Sequence, residues 1–159
     1  MEQKTKVTAE DGKQEYVITR EFDLPLDLLF RAHVEADIVE QWMGTKVLKL
    51  ESKKYGAWQF QTKDAQGNVV FQADGVIHTL VPNHKITRTF EMANTPFGVQ
   101  LEIYDFERLT DETSKLTMHV IYESVAQRDQ ILKLGLTWGI NMVHDRLQEI
   151  ASHLKSHAI

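Results

Sequence analysis

Cysteine does not occur among the 159 residues. Disulfides, thiolate nucleophiles and cysteine-based zinc sites are therefore excluded, and a reducing compartment is permitted. Long apolar runs are missing too. No stretch approaches the roughly 18 apolar residues of a membrane span, and Met1, Glu2, Gln3 and Lys4 have no apolar run behind them, so neither a span nor a secretory leader is expected and the cytoplasm is the simplest address. Positive charge is scarce: 18 Lys and Arg stand against 23 Asp and Glu, for a net charge of −5, and basic pairs such as Lys53 and Lys54 are diluted by acids. Such a chain has no general attraction for phosphate backbones, so no nucleic-acid partner is expected.

The usual catalytic signatures are absent as well. There is no nucleophile elbow, phosphate-binding glycine loop, dinucleotide fingerprint or HExxH element. The histidines are scattered over His33, His78, His84, His119, His144, His153 and His157, and only the last two share helical i, i+4 spacing, with no acid to complete a metal site. No catalytic set, metal or cofactor is expected.

What is present is a globular mixture, with 42% hydrophobic and 26% charged residues, enough to build a real core. At this length residues 1–159 are read as one domain. Residues 1–13 form a polar lead ending in the turn signal Asp11, Gly12, Lys13, either a mobile segment or a short extra strand. Tyr16, Ile18 and Phe22 alternate with polar neighbours, the period of a half-buried strand, with Arg20 as the exception on that face. Pro25 and Asp27 suit a helix start and Gly44 suits a helix end, so two short helices are predicted between them. Six further strands are predicted at 46–51, 56–62, 69–80, 85–92, 99–109 and 115–122, giving seven in all. The joints are rich in turn formers and short, which implies antiparallel neighbours.

Ser124 suits an N-cap for one uninterrupted helix over 126–155, free of proline. Leu136, Ile140, Val143, Leu147, Ile150 and Leu154 mark its buried stripe, while Ile131, Leu134, Trp138 and Met142 make a second apolar face in its first half.

The order strand, two short helices, six strands, long helix resembles the helix-grip order of the START-like (SRPBCC) superfamily. Local residues resemble the branch related to the activator of heat shock protein 90 ATPase. The run Ile18 to Pro25, Leu29 and Phe30, the stretch Asp37 to Trp42, the hairpin residues Gly75, Val76, Ile77, Pro82, Ile86 and Thr87, and Thr137, Trp138 and Gly139 carry the likeness over about residues 14–155. In the last of these the glycine follows the tryptophan, a departure from the usual order. The resemblance implies an α+β fold in which a curved antiparallel sheet wraps the long C-terminal helix, and it implies binders of lipids, hormones and polyketides among distant relatives.

Several residues invite a role in such a pocket. His33, Trp42, Trp58, Phe60, Arg88, Phe90, Tyr104, Phe106, Trp138 and Met142 are the candidates, with Arg88, Tyr104 and His33 as polar anchors. Arg20 and Arg88 each lie on an apolar strand face, where a guanidinium needs a partner or an escape to water. Along 99–109 the apolar residues change parity between Ile103 and Tyr104; a bulge there would keep both sets inside, and without one Asp105 and Glu107 would turn inward. The leading expectation is a non-catalytic domain that binds a small hydrophobic molecule. A protein-partner role like that of the named co-chaperone is the alternative, although no separate amino-terminal chaperone-binding domain is evident. A third reading is a pocket enzyme such as a cyclase or hydrolase, which would need convergent acid, arginine and tyrosine groups.

Overall fold

The computed structural model describes residues 4–157. Short strand β1 (Lys6–Thr8) leads into β2 (Glu15–Phe22), whose even positions Tyr16, Ile18, Arg20 and Phe22 are buried. Pro25, in an extended conformation, accepts from the amides of Leu28 and Leu29 and starts α1 (Leu26–Val34). Helix α2 (Ala36–Met43) follows and is ended by Gly44 at φ 64°. Then come β3 (Lys46–Leu50), β4 (Ala57–Lys63), β5 (Val69–Val81), β6 (Lys85–Met92), β7 (Val99–Arg108) and β8 (Ser114–Ile121). Helices α3 (Val125–Leu132) and α4 (Leu136–His157) close the chain.

All strands join one antiparallel sheet in the order β1-β2-β8-β7-β6-β5-β4-β3. The sheet has eight strands where the sequence predicts seven, and the extra one is β1, inside the polar lead, paired through Val7 and Ile18. Arg128 secures that lead by donating to the carbonyls of Glu10 and Glu15 at 2.6 and 3.0 Å. The helices cover the other face of the core, with Leu147 and Ala151 of α4 fully buried against it.

Two expectations are corrected. The C-terminal helix is broken: Ser124 caps α3 as predicted, accepting from the amide of Gln127, but Gly135 adopts φ 76° and separates α3 from α4. Helical periodicity runs through the break because glycine leaves no apolar gap, yet only glycine enters the left-handed region at little steric cost. The second correction concerns β7, which carries no bulge. Its register with β6 and β8 runs unbroken, and Gln100, Glu102, Tyr104 and Phe106 all face inward. Val99, Leu101 and Ile103 therefore face outward, together with Asp105 and Glu107. The apolar odd residues lose the interior because Glu102 lies directly opposite Arg88 on β6, and a compensated ion pair is admitted where a lone charge is not.

One close approach shapes the middle of the sheet. A Cβ at Gly75 would lie 1.9 Å from the carbonyl oxygen of Thr89, so the glycine lets β5 and β6 meet where Trp58 donates its indole N–H to that same oxygen at 3.1 Å.

Candidate functional site

The inward residues of β6 and β7 build a polar cluster in an otherwise apolar interior. Arg88 donates from Nε to Glu102 Oε1 and from Nη2 to the Tyr104 hydroxyl, each at 2.8 Å. Tyr104 donates to Glu102 Oε1 at 2.9 Å, and Gln100 donates to Glu102 Oε2 at 2.9 Å. The guanidinium also lies over the Trp58 ring, 4.4 Å from its centroid. Burial by itself disfavours the Arg88 cation, and Tyr104 and Glu102 more than offset this and raise its pKa above the ordinary value. Burial, with Glu102 nearby, holds the Tyr104 phenol well above its ordinary range against the opposing pull of Arg88.

This cluster is the floor of a cavity of about 200 Å³ between the sheet and the helices. Phe60, Phe90 and Met118 line it from the sheet, Val39 and Trp42 from α2, and Leu136, Ile140 and Val143 from α4. Tyr16 and Tyr122 bring their hydroxyls within 3.2 Å of each other at its wall. Burial raises both phenols, Tyr122 to about 12.

Two histidines reach the same space. His33 lies among the rings of Phe106, Trp42 and Tyr104 at centroid distances of 5.2, 5.3 and 5.8 Å, with Nδ1 bonded to the Leu29 carbonyl at 2.8 Å. Burial lowers its pKa to about 4, assisted by the Arg88 charge and opposed by the Leu29 bond. His144 is lowered to about 3 by burial, His33 and Arg20. Its Nδ1 meets the Thr5 hydroxyl at 3.0 Å. Thr5 already accepts from Arg20 Nη1, so its own proton is free to go to His144 Nδ1, which leaves the N–H on Nε2. Arg20 also bonds Asp145, and the Thr5 amide donates to Asn141 Oδ1.

Of the candidates from the sequence, His33, Trp42, Phe60, Arg88, Phe90 and Tyr104 line the cavity. Trp58 and Phe106 are buried beside it, Trp58 against Phe60 and Phe90, Phe106 against His33 and Tyr104. Trp138 and Met142 do not belong there: they are 64% and 45% exposed. The inward stripe of α4 is the one through Leu136, Ile140 and Val143, and this turns Trp138 and Met142 outward. Gln100, Glu102, His144 and Thr5 went unrecognised. The first two were within reach, since the parity of Tyr104 and Phe106 extends back to them. His144 and Thr5 carry no local signal, because their partners lie more than a hundred positions away.

Among the described residues no group of three or more His, Asp or Glu side chains could hold a metal, and no helix is long and apolar enough to cross a membrane. No curated protein matches the sequence. Solved structures similar in fold include a Mycobacterium smegmatis protein (18% identity, 92% of this chain and 95% of that one, TM-score 0.81). A Rhodobacter sphaeroides protein is comparable (15% identity, 94% and 99%, TM-score 0.81), as is one from Arthrobacter aurescens (14%, 93% and 91%, TM-score 0.83). These identities speak to the fold alone. Residues 23–152 match the family described as Activator of Hsp90 ATPase homolog 1-like protein, and with most of its length covered by that match the chain belongs to this family.

Proposed function

We propose that the chain is a non-catalytic binding domain whose internal cavity takes up a small, largely hydrophobic molecule. The observation that carries this reading is the cavity of about 200 Å³, walled by apolar side chains and floored by a polar cluster that satisfies itself. Apolar hollows of comparable size hold single-ring ligands in preference to water, and mostly apolar walls with a few placed polar groups are the usual make-up of a ligand site. Arg88, Glu102 and Tyr104 are the convergent groups that an enzyme would need. Here they are bonded to one another, the phenol is raised out of reach and both histidines are weak bases, so none is poised to move a proton near neutral pH.

Native mass spectrometry of gently purified protein tests the proposal. A small molecule retained at one per chain is expected and would disclose its class. A chain that retains nothing and takes up no apolar probe would overturn it.

Protein-partner binding, in the manner of a co-chaperone that stimulates the heat shock protein 90 ATPase, is the second reading. It is favoured by Trp138 and Met142, exposed apolar residues one turn apart on α4, and by exposed Leu134 just before the helix. Stimulation of that ATPase by the wild type and its loss in Trp138→Ser would support it.

A further inference from the structure

The polar groups around the cavity are nearly all committed. Arg88 Nε and Nη2, the Tyr104 hydroxyl and the Gln100 amide point at one another or at Glu102. Trp42 Nε1 donates to the Ala32 carbonyl at 2.7 Å, and Trp58 Nε1 to Thr89. His33 stands apart. The Leu29 carbonyl can only accept, so Nδ1 carries the proton. Burial keeps the ring neutral down to about pH 4. Nε2 is then a bare lone pair with no donor among the described residues, on a ring that lines the cavity. The ring is half-buried and Nε2 faces the hollow, where a donor on an apolar guest would gain a hydrogen bond that the walls do not offer.

We infer that the ligand is a neutral molecule of one or two rings bearing a hydroxyl, and that this hydroxyl donates to His33 Nε2. The inference rests on the binding reading above and narrows it. Size follows from the cavity of about 200 Å³. Neutrality follows from Arg88 and Glu102, which cancel each other's charge at 2.8 Å and leave no net field to hold an ion. The rival donor is a water in the adjoining hollow of about 20 Å³, which His33, Arg88 and Tyr104 also line and which has room for one molecule.

The test compares β-naphthol, its methyl ether and naphthalene by calorimetry on the wild type and on His33→Phe, with nitrogen NMR of the labelled wild-type imidazole. The wild type should bind β-naphthol about 10-fold more tightly than the ether, as expected for one hydrogen bond gained at an otherwise unpaired acceptor. The ratio should fall toward one in His33→Phe, and the Nε2 resonance should move with β-naphthol and not with the ether. If all three probes bind the wild type equally, the hydroxyl inference fails while the pocket stands. A preference that survives in His33→Phe with an unmoved Nε2 resonance also overturns it and assigns the hydroxyl elsewhere. If no probe binds, the pocket reading falls and this one with it. Should His33→Phe fail to fold, the wild-type resonance decides alone.

Discussion

Arg20 and Arg88 look alike in the sequence, each a cation among apolar strand neighbours, yet they solve burial in different ways. Arg20 on β2 is 3% exposed and reaches out of the core to Asp145, whose side chain is 56% exposed. Its Nε is left without a partner. Arg88 on β6 faces a carboxylate that is itself buried, Glu102 at 7% exposure. One arginine ties β2 to α4 at the border with solvent; the other shares a sealed network with its partner. What differs is the fate of the carboxylate, and that decides how much each tie matters.

The comparison predicts that Arg88→Met is the most damaging change. It would strand Glu102 in the core and cost about 3–5 kcal/mol, measured by urea unfolding, while adding Glu102→Gln should recover a large share. If single and double variants are equally unstable, the two groups are not coupled.

Taken one group at a time, acid should produce an effect of similar size. The folded imidazoles titrate at about 4 and about 3 and the unfolded ones near 6.5, so the unfolded chain takes up protons first. Stability should be full above pH 6.5 and fall, from there down through the folded values, by about 3 kcal/mol for His33 and about 5 kcal/mol for His144. Urea midpoints across that range would check this, and His144→Leu should flatten part of the slope. The charges facing these rings are Arg88 for His33 and Arg20 for His144, so acid adds a cation beside a cation in both places.

Arg20→Met should cost less than Arg88→Met, about 1–3 kcal/mol, because Asp145 returns to water and only the Thr5 tie is lost. The same unfolding series reads it, and equal losses for the two arginines would erase the contrast. Trp138→Ser touches no packed surface and should change stability by less than about 0.5 kcal/mol. A larger loss in a thermal melt would mean that this exposed surface is covered in solution.

Side-chain periodicity made most of the framework readable in advance. Strands, turns, the Ser124 cap and the α4 stripe through Leu147 follow from local pattern, because each element places its apolar side chains on one face. The site was harder to read. Glu102 is drawn inward by a residue on another strand, and that contact overrode the apolar count along β7. Trp138 was misplaced because helical spacing says which residues share a face, and the docking of the helix decides which face turns in. Gly135 hid the break in a pattern that stays continuous across it.

The bond between Thr5 and His144 joins positions 139 residues apart. Closing so long a loop carries a large entropic cost before any contact rewards it, so such contacts tend to form late on a folding pathway. On the binding reading proposed above, a guest would be enclosed as α4 docks on the β1 edge, and one present during refolding would slow the reversal of that last step.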